Sequence, residues 1–98
     1  MPTLLDDAAV AARLSTVDGW TGDAKELART VKLPSFPAAI DVVTRVAEVA
    51  EEMDHHPDID IRWRTLRFTL ATHSAGGVTD RDFTLAHRID EILRTARP

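Results

Sequence analysis

The chain has 98 residues, enough for one domain with a single modest core and too few for two, so one domain over residues 1–98 is expected. Sixteen acidic against twelve basic residues leave a net charge of −4, which provides no electrostatic footprint for nucleic acid or an anionic membrane. Cysteine is absent, excluding disulfides, thiolate chemistry and a cysteine-based zinc site. No basic-then-apolar leader opens the sequence and no apolar run approaches the ~18 residues of a membrane span, so a cytoplasmic protein is the expectation.

Taken in chain order, Thr3 with Asp6 and Asp7 reads as the capped start of a short helix that carries Val10, Leu14 and Val17 at helical spacing. Asp18-Gly19 stops it. Trp20 follows in a short extended piece, Gly22-Asp23 turns, and Leu27, Val31 and Leu33 share one side of a strand over about 25–33, interrupted on that side by Arg29. Ser35 then caps a long helix with Pro37 in its first turn. Its apolar positions are Ala39, Ile40, Val43, Val46, Ala47, Ala50 and Met53, while Asp41, Thr44, Arg45, Glu48, Glu51 and Glu52 take the other side.

The residue before a proline is driven out of helical geometry, so this helix is expected to end at about His55, ahead of Pro57. That break would re-aim His55 and His56. Glu51, one turn earlier, is placed to pair with His55. Beyond it Ile59, Ile61 and Trp63 alternate with Asp58, Asp60 and Arg62, and Leu66, Phe68 and Leu70 alternate with Thr65, Arg67, Thr69 and Ala71. Two strands joined near Arg64-Thr65 follow, and parity puts His73 on the polar side of the second. Gly76-Gly77 turns the chain. Thr79 and Asp82 form a capping box for a last helix whose buried stripe is Phe83, Ala86, Ile89 and Leu93, with His87 beside it as an ordinary structural residue.

Each strand and helix has one apolar side to hide, and the order α-β-β-α-β-β-α predicts an α+β fold: a four-stranded antiparallel sheet with three helices packed on one face. The open face would carry His73, Arg62 and Arg67, with His55 and His56 at its rim.

The spacing of Glu51, His55-His56-Pro57, Trp63, His73 and Asp82 resembles the signature of the pterin-4a-carbinolamine dehydratases. Gly19-Trp20, Phe36, Thr72-His73 with Ala75-Gly76-Gly77, and Thr79-Asp80-Arg81-Asp82-Phe83 add to a likeness running from about Leu4 to Arg94. The resemblance implies the same three helices on a four-stranded sheet, and dehydration of 4a-hydroxytetrahydropterin to quinonoid dihydropterin during tetrahydropterin recycling. Hydroxide is a poor leaving group, so an acid must protonate the C4a oxygen, and imidazole suits that task near neutral pH. By resemblance His55 and His73 are the acids, His56 helps bind the pterin with Thr72, and neither metal nor redox cofactor is required. Glu51 would orient an imidazole or favour its charged form, and Asp82 would hold His73 in one tautomer. Trp63 either stacks near the pterin or fills the core, and its parity with Ile59 and Ile61 favours core. Trp63-Arg64 departs from the tyrosine and asparagine of many members, which bears on the hairpin more than on the chemistry.

Family members pair sheet edges into dimers, some of which join through the central helix as tetramers. The polar Asp41, Arg45 and Glu48 on that helix favour a homodimer here. Two other readings compete with this one. A zinc or iron site would need His55 and His56 to converge on one ion, which adjacent residues do not easily do. A non-catalytic dimeric binding or regulatory module of the same fold would have no use for two imidazoles and two carboxylates kept together.

Overall fold

The computed structural model describes residues 3–96 and contains, in the expected order, α1 (Asp7–Leu14), β1 (Thr21–Gly22), β2 (Leu27–Lys32), α2 (Phe36–Met53), β3 (Asp58–Arg62), β4 (Thr65–Leu70) and α3 (Asp80–Ala96). The strands form one antiparallel sheet in the order β1-β2-β4-β3. Alternation decides its facing. Leu27 and Val31 of β2 and Leu66, Phe68 and Leu70 of β4 join Val10, Val42, Val46, Phe83, Ala86 and Ile89 of the helices in one core. Thr30, Lys32, Arg62 and Arg67 stand exposed on the other face. The three helices therefore cover one side of the sheet, as each element's single apolar side requires.

α1 is capped by Asp6, whose carboxylate accepts from the Ala9 amide at 2.8 Å, so Thr3 is not the cap. α2 begins as its sequence dictates. The Ser35 hydroxyl accepts from the Ala38 amide at 3.1 Å and Pro37 occupies the first turn, where no amide proton is needed. Its buried row is Ala39, Val42, Val46 and Ala50. Ile40 and Ala47 are exposed instead, because they fall with Phe36 on a second apolar row that the sheet does not reach.

The end of α2 departs from expectation by two residues. Asp54 takes the left-handed conformation (φ 50°), and the amides of Asp54 and His55 both return to the Ala50 carbonyl. Aspartate is among the few non-glycine residues that tolerate this geometry. The helix thus stops at Met53 by a left-handed cap, with Pro57 acting only downstream.

The β3–β4 hairpin closes by pairing Arg62 with Thr65, leaving Trp63-Arg64 as a two-residue turn with Trp63 at φ 56°. Trp63 is 85% exposed, so its assignment to the core is wrong. The strict alternation of β3 ends at Arg62, and parity has no meaning past a turn. With Phe36 and Arg64 it lines a cleft of about 460 Å³. β4 likewise ends at Leu70, so His73 lies not on the sheet but in the turn after it. That turn is pinned where Thr72 bridges Gly77 and is made possible by Gly76 at φ 83°.

Arg29, which interrupts the apolar side of β2, is explained by Asp90 on the buried stripe of α3. One Asp90 oxygen accepts from the Arg29 guanidinium and from the Trp20 indole, each at 2.7 Å. This ties the β1 approach, β2 and α3 together. A buried acid needs such partners, and together they form the structural ion pair of the fold.

Candidate active site

The first turn of α3 and the cap of α2 meet at Asp82. Its side chain is fully buried and accepts three hydrogen bonds: His55 Nε2 to Oδ1 at 2.6 Å, and the Thr72 hydroxyl and Thr79 amide to Oδ2 at 2.8 and 2.9 Å. The capping box therefore forms on its acidic half, and the same carboxylate that caps the helix holds an imidazole. The Thr72 proton goes to Asp82, so the Thr79 hydroxyl, 2.7 Å away, donates to Thr72. Positive charge at a helix N-terminus also favours the carboxylate there. The result is a fixed chain from Thr79 through Thr72 and Asp82 to His55.

His55 exposes 7% of its surface. Its Nδ1 takes no partner among the described residues, and no buried side-chain nitrogen or oxygen of theirs lacks one, so Nδ1 opens to the surface. An imidazole held at one nitrogen and open at the other can pass a proton at a defined place.

The second imidazole is arranged differently. His56 Nε2 meets Glu51 Oε2 at 2.5 Å, both side chains being exposed. The pairings thus differ from the expected ones: Glu51 serves His56 rather than His55, and Asp82 serves His55 rather than His73. The left-handed cap explains the exchange. Had α2 continued, Glu51 and His55 would share a face; with the chain turned at Asp54, His55 folds inward and His56 swings back over the last turn.

His73 is exposed and its ring makes no hydrogen bond among the described residues. It is nonetheless next in the chain to Thr72, which shares the Asp82 carboxylate with His55. The structure therefore brings Glu51, His55, His56, Thr72, His73 and Asp82 to one end of the molecule. It does not bring Trp63 there, since the five residues of β3, roughly 16 Å at ~3.3 Å per residue, lie between. Among the described residues no three His, Asp or Glu side chains are grouped to hold a metal ion, each carboxylate of the site being matched to its own imidazole. No helix among them is long and apolar enough to cross a membrane.

Sequence reasoning passed over Arg81. Its guanidinium donates to the carbonyls of Met53 and Asp54 at 2.6 and 2.9 Å, the two residues that close α2. Its place between Asp80 and Asp82 in the first turn of α3 was a signal, since a cation there runs against the helix dipole and needs another reason.

Known proteins resemble this chain over most of its length. The family model described as pterin 4 alpha carbinolamine dehydratase matches residues 3–92. A Nocardia farcinica protein provisionally named pterin-4-alpha-carbinolamine dehydratase is 58% identical over 91 residues, covering 93% of this chain and 96% of that one. A Mycobacterium tuberculosis protein with the same provisional name is 53% identical over 90 residues, covering 92% and 96%. Among solved structures, a Brucella melitensis protein described as transcriptional coactivator/pterin dehydratase superposes with a TM-score of 0.86 at 31% identity, over 90% of this chain and 96% of that one.

Proposed function

The chain belongs to the pterin 4 alpha carbinolamine dehydratase family, and on that premise we propose that it removes water from 4a-hydroxytetrahydropterin, as a step in recycling tetrahydropterin cofactor. The C4a–O bond breaks as its oxygen takes a proton and leaves as water, while the N5 proton is lost and the electron pair closes the C4a=N5 bond of the quinonoid dihydropterin. The observation that carries this reading is the buried 2.6 Å contact of His55 with Asp82, which fixes one ring nitrogen and leaves the other open. His55, so held through Nε2–H, is the general acid at the leaving oxygen in its imidazolium form, giving up the proton on Nδ1. His73, exposed beside Thr72, handles the second proton from another side. His56, paired with Glu51 at the surface, contacts the pterin. No metal or redox group is needed for an elimination of this kind, because no electrons leave the substrate.

The assembly that suits this chain is a homodimer through β3. It is the long edge of the sheet and leaves Ile61 42% exposed between the charged Asp60 and Arg62, which can pair with a second copy running antiparallel. The Brucella description names both a coactivator and a dehydratase. The catalytic reading is preferred here because a binding surface gives no reason to bury an imidazole on a carboxylate with three donors.

The test is the breakdown of 4a-hydroxytetrahydropterin, followed by ultraviolet absorbance against its spontaneous decay. Wild type should accelerate it, and His55→Ala and His73→Ala should each lose a factor of ~100 or more. A wild-type rate no greater than the spontaneous one would refute the reading.

A further inference from the structure

The site described so far explains what the imidazoles touch but not what keeps them aimed. They diverge because Asp54 is left-handed (φ 50°), a conformation that costs a non-glycine residue free energy and persists only when its surroundings enforce it. The enforcement comes across the molecule from Arg81. Its guanidinium reaches from α3 to the Met53 and Asp54 carbonyls at 2.6 and 2.9 Å, and it pairs with no carboxylate among the described residues. A cation aimed at the last carbonyls of a helix is favoured by the dipole there, and a single nitrogen, Nη2, donating to both carbonyls draws them toward one point. The next residue is Asp82, which holds His55. One turn of α3 thus grips the residues before the imidazole with Arg81 and the imidazole itself with Asp82.

We infer that Arg81 is a positioning residue for both imidazoles: by clamping the Met53 and Asp54 carbonyls it holds the left-handed turn that sends His55 to Asp82 and His56 to Glu51. It touches neither ring and acts only through the backbone. The activity arm of its test rests on the dehydratase reading given above; the exchange arm does not.

Arg81→Met keeps much of the stem and removes every donor, while Arg81→Lys keeps the charge but carries it on a shorter stem that places it differently from Nη2. Arg81→Met should lower kcat by about tenfold to a hundredfold per folded molecule with KM held within about twofold, since ångström misplacement of an acid acts on the chemical step. Arg81→Lys should fall between it and wild type, and added guanidinium ion should restore part of the lost rate to Arg81→Met. Independently of any substrate, the His55 amide, bonded to the Ala50 carbonyl in the cap, should exchange with solvent at least about tenfold faster in either variant. Unchanged kcat per folded molecule together with unchanged His55 exchange would overturn the inference, as would a loss of rate matched wholly by loss of folded protein. Should Arg81→Met fail to fold, the two Arg81→Lys measurements decide by the same criteria. Should wild type show no dehydratase activity, the exchange result alone decides: faster exchange upholds the clamp, and unchanged exchange removes it.

Discussion

His55 and His56 are neighbours in sequence, and each meets a carboxylate at close to 2.5 Å, yet the two pairs occupy different media. His55 and Asp82 expose 7% and 0% of their side chains, His56 and Glu51 56% and 78%. In the exposed pair water competes for both partners and salt screens them, so contact adds little to stability. In the buried pair each partner has surrendered its water, and Asp82 is also claimed by Thr72 and Thr79. Removing one member there strands the others. The same two groups, an imidazole and a carboxylate, therefore give a fixed, buried imidazole in one place and an adaptable surface contact in the other.

The largest expected effect breaks the buried pair. Asp82→Ala should lower unfolding free energy by about 3–5 kcal/mol, because His55, the Thr72 hydroxyl and the Thr79 amide all lose their acceptor. In a domain of this size that lowers Tm by about 15 °C or more, read by thermal or denaturant unfolding.

Asp90→Asn provides the control that separates burial from catalysis. It weakens the buried contact with Arg29 and Trp20, so stability should fall by about 2–3 kcal/mol, while kcat of the folded fraction stays within about twofold of wild type. Loss of kcat on that scale without unfolding would show that this ion pair serves the site as well.

Next comes Thr72→Val, which keeps shape and removes one donor to Asp82. A stability loss of about 1–2 kcal/mol and a fall in kcat of roughly tenfold are expected, with the dehydration assay and denaturant midpoint as the two readings. The smallest effect belongs to the exposed pair. Glu51→Gln should alter stability by less than about 0.5 kcal/mol and leave KM as its main kinetic change, by a few-fold at most.

Much of this was legible in the sequence, for reasons that also mark where legibility stopped. The sheet, the Ser35 cap and the stripe of Phe83, Ala86, Ile89 and Leu93 follow from period and capping chemistry, which are local. The residues gathered at one end were legible through their types and spacing. Their pairing was not, because it turns on one backbone angle at Asp54, and a helix assumed to run to His55 joins the wrong imidazole to Glu51. Trp63 was misplaced by the same kind of error, a strand period carried one residue into a turn. Asp90 could have been found: an acid on a buried helix stripe and an arginine on the apolar side of a strand ask for one another. Arg81 needed the fold, since its partners are backbone carbonyls 27 and 28 residues away.

Whether Asp82 acts on the reaction through His55 is decided by kcat/KM for His55→Ala, Asp82→Asn and the double variant in the dehydration assay, corrected for spontaneous decay. If the carboxylate works only by holding that imidazole, the double variant should lie within about twofold of the slower single variant, since one lost function cannot be lost twice. If the two losses multiply instead, Asp82 and His55 act independently and the account of the site is wrong.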